Sequence, residues 1–347
     1  MSLFSNHGVH AVVDGQFGST GKGVLAAWLA REAVRSGHEF RICVSNAGPN
    51  SGHTFYHEGE KHVLKQLPTF AVATNLLGGN VPVQLSAGAM IDPEILCAEA
   101  IKYPDVEIWV HPQAAVIDSE DKQAEHQGSI AAVAGTRSGT GAALARKVAR
   151  DPRVVFKALW GDQHFPPNVH IGDVLVFAGI DPFEERIFME VSQGFSLGIN
   201  SNFYPKVTSR ECTVMQGLAD ARLPARSVEK VYLSMRTFPI RVGNVDDFSS
   251  GDSYPDQEET SWEAIGQTPE LTTVTQRVRR VFTFSEIQAA EAIRANDPDF
   301  IFINFMNYLD EEGQADMLAM LDELKDVGRY GLDVIQCYGP TSEDVSW

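Results

Sequence analysis

The chain has 347 residues, of which 46 are Asp or Glu and 28 are Lys or Arg, so its formal net charge is −18. Proteins that bind nucleic acids or anionic membranes draw their affinity from clustered positive charge. The acidic balance therefore excludes a nucleic-acid polymer and a membrane surface as partners. Short basic clusters at residues 146–150 (RKVAR) and 277–280 (RVRR) leave small anionic ligands as candidates.

Two further features concern the cellular compartment. The four cysteines lie far apart and match no metal-binding spacing, which predicts buried, reduced thiols. The sequence has neither a signal-peptide pattern nor an apolar run of about 18 residues. These features predict a cytoplasmic protein, in the cytoplasm of the host if a phage encodes it.

Short apolar runs alternate with helical patterns along the chain. Residues 9–14 (VHAVVD) predict a strand that ends in a glycine-rich turn, and residues 23–35 predict the helix that follows. Residues 244–269 are acidic and lack periodicity, which predicts a surface excursion. Further strands are predicted over residues 40–45, 83–87, 106–110, 173–178, 230–235, 300–304 and 332–337, and further helices over residues 92–103 and 311–325. The alternation predicts an α/β fold, a single large domain over residues 1–347 with a central, mostly parallel sheet flanked by helices.

The glycine-rich turn reads GQFGSTGKG over residues 15–23. Between a strand and a helix, backbone N–H groups and the helix dipole can surround phosphate oxygens, and Lys22 can neutralise their charge. The turn is not a Walker A loop, because Gly23 stands where Ser or Thr would bind magnesium. Taken alone, such a turn is also typical of tight packing without a ligand.

A second motif, GPNSGHT at residues 48–54, follows the glycine loop. The pair resembles the adenylosuccinate synthetase family, whose members read QWGDEGKG followed by GxNAGHT. Other stretches match the family in the same order along the chain, at residues 135–136 with 147–150, 193–194, 204–209, 241–243, 275–280 and 338–340. The resemblance covers nearly the whole chain and implies that family's fold, which is related to the P-loop NTPases.

The resemblance implies a two-step ligase that acts as a homodimer. A nucleoside triphosphate phosphorylates the purine 6-oxygen, which is otherwise a poor leaving group, and the amino group of L-aspartate then displaces the phosphate at C6. Lys22, the loop N–H groups and Mg²⁺ would stabilise the transferring phosphoryl group. His53 would be the general acid, since an imidazole suits proton transfer near neutral pH.

Each ligand receives a set of residues from the resemblance. Ser19, Lys22 and His53 are the implied catalytic residues, and Ser19 and Gly52 would contact Mg²⁺. The implied triphosphate site comprises Gly18, Thr20, Gly21, Lys22, Gly23, Gly52, His53, Thr54, Asn307 and Gly339. The implied nucleoside monophosphate site comprises Ser19, Asn50, Thr136, Arg150, Gln193 and Thr208, with Arg150 reaching in from the neighbouring subunit. The implied aspartate loop carries Thr275, Arg277 and Arg279, whose guanidinium groups suit a carboxylate.

The glycine loop departs from the family pattern at Ser19, where family members have Asp. That Asp takes the proton from purine N1 and contacts Mg²⁺, whereas a serine hydroxyl is too weak a base to do so unaided. A shorter, neutral side chain would make room for the 2-amino group of guanine. The departure resembles a bacteriophage branch of the family that joins aspartate to dGMP, and we adopt that activity as the leading hypothesis.

A second departure concerns the phosphoryl donor. Asn307 aligns with the Asp that accepts guanine N1–H and N2–H₂ in GTP, and Phe305 replaces a Lys. An amide mismatches one of the two guanine donors, at a cost of about 1–3 kcal/mol when buried, but matches the edge of adenine. Phe305 can stack on a base. These residues predict ATP or dATP as the donor in place of GTP.

Two alternatives stay open from the sequence. The first is an ordinary adenylosuccinate synthetase acting on IMP, which the loss of the base at Ser19 disfavours. The second is a nucleotide-binding protein without catalysis. Lys22, His53, Arg277 and Arg279 argue against the second alternative, because a binding protein has no use for an acid and an aspartate loop together.

Overall fold

The computed structural model describes residues 2–127, 135–160, 164–244, 249–272, 276–328 and 331–347. The strands are β1 (Gly8–Asp14), β2 (Ile42–Ser45), β3 (His53–His57), β4 (Glu60–Leu64), β5 (Val83–Leu85), β6 (Met90–Ile91), β7 (Ile108–Val110), β8 (Ala115–Val116), β9 (Val169–Ile171), β10 (Arg186–Glu190), β11 (Val228–Arg236), β12 (Ile240–Arg241), β13 (Glu259–Thr260), β14 (Arg280–Phe282), β15 (Phe300–Asn304), β16 (Asp333–Cys337) and β17 (Val345–Ser346).

The helices of the described residues flank these strands. They are α1 (Lys22–Ser36), α2 (Thr69–Leu76), α3 (Pro93–Lys102), α4 (Ser119–Ala124), α5 (Thr140–Val148), α6 (Phe156–Trp160), α7 (Val174–Phe177), α8 (Val214–Ala221), α9 (Glu286–Asn296) and α10 (Glu311–Leu324). Within the described ranges, no helix is both long enough and apolar enough to cross a membrane.

Ten strands form one central sheet in the order β17-β16-β15-β11-β1-β10-β2-β5-β7-β9. Every neighbouring pair is parallel except β16 and β17. The predicted mostly parallel α/β sheet is therefore confirmed. Because the strands run the same way, the loops that follow β1, β2, β10, β11 and β15 all emerge at one edge, where ligands bind in open α/β sheets.

Alternating side chains along the central strands bury both faces of the sheet. In β15, Phe300 and Phe302 pack with α1, α2 and α3, whereas Ile301 and Ile303 pack with α8, α9 and α10. All four side chains are fully buried. Two-sided burial explains why these strands read as continuous apolar runs in the sequence.

Three sequence predictions differ from the structure. Residues 173–178 are not a strand: Val174–Phe177 forms the short helix α7, and Val176 and Phe177 are exposed. β9 already pairs with β7 at that edge, and the chain turns after Gly172.

The predicted surface excursion, residues 244–269, contributes β13 to a small antiparallel sheet, with Tyr254 and Trp262 buried in its described part. The strand β10 was not predicted, because its apolar run is only three residues long.

Candidate active site

A cavity of about 520 Å³ opens at the carboxyl edge of the sheet, between the glycine loop, the β3–β4 hairpin and the loop before β14. It brings together thirteen of the sequence-predicted residues: Gly18, Ser19, Thr20, Gly21, Lys22, Gly23, Asn50, Gly52, His53, Thr54, Thr136, Gln193 and Arg279. These residues come from segments separated by up to about 260 positions. The order of the parallel strands in the sheet brings these segments together.

The glycine loop is shaped by Asp14, the last residue of β1. Its buried carboxylate accepts hydrogen bonds from the backbone N–H groups of Gln16 (2.9 Å) and Gly18 (3.2 Å) and from the Thr20 hydroxyl (2.7 Å). Lys22 donates to the same carboxylate at 3.2 Å and to the Gln193 carbonyl at 3.0 Å. The ammonium group is thereby held at the cavity wall before any ligand binds.

Gly23 explains why the loop departs from the Walker A pattern. A Cβ at this position would collide with the backbone carbonyl oxygen of Thr54, and would lie only 2.9 Å from the Thr54 nitrogen. The first turn of α1 therefore packs directly against β3, which carries His53. A Ser or Thr at position 23 would push the hairpin away from the loop, so the glycine is a consequence of this packing.

Gly23→Ala is expected to destabilise the protein by about 1–3 kcal/mol, because the new methyl group must displace the β3 backbone. Denaturant unfolding measures this change. Gly135→Ala is the matched control, since a Cβ at Gly135 meets no atom of the described residues within 4 Å and the residue also lines the cavity. Equal stability of the two variants would contradict the packing account.

His53 begins β3 and is buried beside Lys22. Burial, aided by the positive charge of Lys22, lowers the pKa of His53 from 6.5 to about 3. In the ligand-free protein the imidazole is therefore neutral at physiological pH. A neutral imidazole still carries one N–H group, which can donate a hydrogen bond to a ligand oxygen in the cavity.

Polar side chains for a nucleoside monophosphate line one part of the cavity. Asn50 follows β2, Thr136 precedes α5, and Gln193 follows β10. The side-chain amide nitrogen of Gln193 is buried and has no hydrogen-bond acceptor among the described residues. A buried amide donor without a partner is costly, so this group is suited to bind a ligand acceptor.

The described parts of the predicted aspartate loop, before β14, pair with residues 270–272 in an antiparallel manner. The Arg279 N–H group donates to the Glu270 carbonyl at 2.9 Å, and the Thr272 N–H group donates to the Arg277 carbonyl at 2.8 Å. Arg279 lines the cavity, whereas Arg277 is half-buried outside it. Thr275 lies outside the described residues.

Only some of the residues predicted to bind the donor nucleotide line the cavity. Phe305 and Tyr308 line the cavity with ring centroids 5.0 Å apart, which gives an aromatic wall suited to a base. Asn307 is exposed and does not line the cavity. Gly339 does not line it either, although its neighbour Pro340 does.

Arg150 and Thr208 also lie outside the cavity lining. Arg150 is exposed after α5, in the left-handed conformation with φ 66°. Thr208 donates its backbone N–H group at 2.8 Å to the carbonyl of Leu197, which does line the cavity. Thr208 is thus next to the site, while Arg150 is exposed and does not line the cavity of its own chain.

The structure adds cavity residues that the sequence reasoning missed. Tyr56 and Lys61 lie opposite each other in the β3–β4 hairpin, and both line the cavity. Glu270, which precedes the aspartate loop, lines the cavity as well. Side chains alternate between the two faces of the hairpin after GPNSGHT. This alternation indicated Tyr56 and Lys61, because Thr54, Tyr56 and the residue opposite Tyr56 lie on one face. Nothing in the local sequence marked Glu270.

A magnesium ion fits the oxygen groups at the cavity. Ser19 is exposed there and Gly52 lines the same wall. Among the residues described, no group of three or more His, Cys, Asp or Glu side chains is arranged to hold a metal. Mg²⁺ commonly keeps several waters and binds largely through substrate phosphates, so such a site needs few protein ligands.

Comparison with known proteins was made against this geometry. The family model for adenylosuccinate synthetase matches residues 11–169 and 179–317. The chain belongs to the adenylosuccinate synthetase family. It is therefore a ligase of purine nucleotide biosynthesis that forms a C–N bond, which confirms the predicted enzyme class.

The relatives of this chain within the family include proteins from bacteriophages. The N6-succino-2-amino-2'-deoxyadenylate synthase of Vibrio phage phiVC8 is 39% identical and is matched over 97% of each chain. A solved structure of the cyanophage S-2L succinoaminodeoxyadenylate synthetase, bound to dGMP and to dATP as an energy donor, superposes with a TM-score of 0.86 at 34% identity, covering 99% of this chain and 95% of that one. The fully ligated adenylosuccinate synthetase of Plasmodium falciparum shares the fold, with a TM-score of 0.76 at 15% identity over 98% and 99% of the two chains. The predicted resemblance to the phage branch of the family is confirmed.

Proposed function

We propose that this protein joins L-aspartate to C6 of dGMP at the expense of ATP or dATP. The products are N6-succino-2-amino-2'-deoxyadenylate, inorganic phosphate and ADP or dADP, and the succino nucleotide is a precursor of 2-aminoadenine in DNA. The observation that carries the proposal is Ser19, a small neutral residue exposed in the cavity where an IMP-specific family member has a carboxylate. The activity in the names of the phage relatives supports the same reaction.

The first step transfers the γ-phosphoryl group to the 6-oxygen of the guanine: the bond from the γ-phosphorus to the diphosphate oxygen breaks, the bond to the 6-oxygen forms, and the N1 proton passes to water. Lys22 and the N–H groups of the glycine loop would balance the charge of the phosphoryl oxygens. His53, neutral in the empty site, would donate its N–H hydrogen bond to the 6-oxygen side of the transfer. Mg²⁺, near Ser19 and Gly52, would neutralise charge on the phosphates when bound.

The second step forms the C–N bond. The amino nitrogen of aspartate attacks C6, the C6–O bond breaks, phosphate leaves with its electron pair, and the proton that the nitrogen loses passes to the phosphate. Arg279, which lines the cavity, would pair with an aspartate carboxylate, and Arg277 lies two residues earlier on the same loop. The unpaired Gln193 amide would bind an acceptor on the purine, and Asn50 and Thr136 would hold the monophosphate.

The donor nucleotide would lie with its base against Phe305 and Tyr308. These rings form an apolar wall, and the absence of the family's Lys at position 305 removes a group associated with GTP. The use of dATP by the cyanophage relative supports an adenine donor here. Because Asn307 is exposed on the 3₁₀ helix Met306–Tyr308 and does not line the cavity, its contact with the base would require a movement of that helix.

The remaining expectations concern assembly and location. A homodimer would bring Arg150 of one subunit towards the monophosphate of the other, in keeping with its exposed position outside its own cavity. We also propose one catalytic domain over residues 1–347, acting in the cytoplasm.

One assay tests the proposed reaction. The purified protein is incubated with ATP or dATP, Mg²⁺, aspartate and either dGMP or IMP, and phosphate release is followed together with the succino product by mass spectrometry. Product with dGMP is expected. Product with IMP alone would identify an ordinary adenylosuccinate synthetase, and no product with either would leave a nucleotide-binding protein. Including GMP tests whether the deoxyribose is required.

Ser19→Asp is expected to lower kcat/KM for dGMP by about 10-fold or more, because a carboxylate facing the 2-amino side of guanine crowds that group and leaves a polar mismatch of about 1–3 kcal/mol. Ser19 already has a left-handed φ of 56°, which Asp tolerates well, so backbone strain is not the cause. Ser19→Asn, similar in size but uncharged, separates charge from volume. Undiminished dGMP turnover in Ser19→Asp would refute the proposed role of Ser19.

A further inference from the structure

Arg236 is the last residue of β11 and is fully buried, with 0% of its surface exposed. It lies beneath the cavity and does not line it. Its backbone is bonded to the side chain of Gln16 in both directions: its N–H group donates to the Gln16 carbonyl oxygen at 3.0 Å and its own carbonyl accepts from the Gln16 amide at 3.1 Å. A buried guanidinium is expensive unless its neighbours repay the desolvation, so its contacts require an explanation.

The guanidinium group contacts three separate parts of the site. One terminal nitrogen donates to the Ser19 carbonyl of the glycine loop at 3.2 Å. Both terminal nitrogens donate to the Glu270 carboxylate, at 2.6 and 3.3 Å. The guanidinium carbon lies 4.1 Å from the centroid of the Phe305 ring, within cation–π distance.

Each contacted group belongs to a different ligand subsite. Ser19 belongs to the glycine loop, and Phe305 lines the proposed wall for the donor base. Glu270 forms the base of the aspartate loop, because its carbonyl accepts from the Arg279 N–H group at 2.9 Å. Leu271 and Val278 continue that pairing as an antiparallel bridge.

We propose that Arg236 is a positioning residue that holds the donor-base wall, the glycine loop and the aspartate loop in one geometry. It acts through Phe305, Ser19 and Glu270 and touches no substrate. This inference rests on the proposed function, which assigns the adenine nucleotide to the wall that contains Phe305 and aspartate to the loop that pairs with Glu270.

The planar guanidinium suits this role because it contacts Ser19, Glu270 and Phe305 at the same time. Its edge forms a fork on the Glu270 carboxylate while its face lies against the Phe305 ring. The Nε atom has no acceptor among the described residues, so the group is placed by these contacts alone. A lysine would keep the charge for Glu270 but would lose the fork and the flat face.

The test compares KM values. In Arg236→Lys, the KM for ATP and the KM for aspartate are expected to rise about 5- to 30-fold each, while the KM for dGMP changes by less than about two-fold because a lysine ammonium can still donate to the Ser19 carbonyl. Phe305→Leu, which removes the ring and keeps the Glu270 fork, is expected to raise the KM for ATP and leave the KM for aspartate unchanged. Arg41→Lys is the matched control, because Arg41 pairs with Glu185 at the surface, 3.3 Å away.

Two results would overturn the inference. One is an Arg236→Lys enzyme whose KM values for ATP and aspartate match those of the wild type. The other is an equal rise in all three KM values, which indicates a general loss of structure. Calorimetric titration with ATP gives a readout that does not depend on turnover: if the wild type binds ATP but forms no product, the proposed function fails while the change in Kd still tests Arg236.

Discussion

Lys22→Met is expected to reduce turnover by about 10³-fold, because preorganised charge at a transferring phosphoryl group is among the largest catalytic effects that one residue provides. Lys22 is buried and held by the Asp14 carboxylate at 3.2 Å and by the Gln193 carbonyl at 3.0 Å. Its ammonium group therefore needs little rearrangement when the triphosphate binds. The rate of phosphate release with dGMP, aspartate and ATP is the measurement.

Removing the ammonium group leaves the Asp14 carboxylate buried without its cation, so a loss of folding must be separated from a loss of catalysis. Asp14→Asn combined with Lys22→Met restores charge balance and is expected to fold but stay inactive, as judged by thermal unfolding and turnover. Lys65→Met is the control for the same change outside the cavity. Turnover of Lys22→Met within about ten-fold of the wild type would show that Lys22 does not stabilise the transition state.

His53→Leu is expected to lower kcat by about 10²- to 10⁴-fold, the range typical of a positioned proton donor. The residue is buried, and the first turn of α1 packs against its strand through the contact between Gly23 and Thr54. The KM for ATP is expected to change much less than kcat, because the effect develops with charge on the 6-oxygen. Steady-state kinetics with ATP varied at saturating dGMP and aspartate measure both constants.

The control for His53 lies on the same strand. His57→Leu makes the same substitution four residues along β3, where the side chain lines a surface pocket away from the cavity. Its kinetic constants are expected to match those of the wild type. A fall of less than about five-fold in His53→Leu, or an equal fall in both variants, would remove His53 from the proposed mechanism.

Much of the fold was readable from the sequence because the central strands are buried on both faces. Residues 300–304 were predicted as a strand and form β15 with the same bounds, and residues 9–14 and 230–235 correspond to β1 and β11. The run at 173–178 misled because apolar composition does not distinguish a buried strand from an exposed short helix at a sheet edge. Only the pairing of β9 with β7 decides between them.

The candidate site was predictable where the chain is continuous through it. The glycine loop and the GPNSGHT motif place ten of their predicted residues around the cavity, and it was the pair of motifs, through the family that they resemble, that indicated a phosphate site. Arg236 and Glu270 were not predictable in this way. Their fork is formed between positions 34 residues apart, and neither residue lies in a motif that marks the pairing.

The sequence by itself determined the motifs of this protein: the glycine loop, the GPNSGHT motif and Ser19 are local facts of composition and spacing, and the resemblance to the adenylosuccinate synthetase family gave them their chemical roles. The excess of negative charge predicts no nucleic-acid polymer as a partner, and it does not count against nucleotides, because a few fixed cations and backbone N–H groups bind them. Only the tertiary structure decided which of those groups meet. In the tertiary structure Gly23 packs against Thr54, Lys22 donates to Asp14, and Arg236 is buried between three loops. Contacts of this kind depend on the order of the parallel strands and not on distance along the chain.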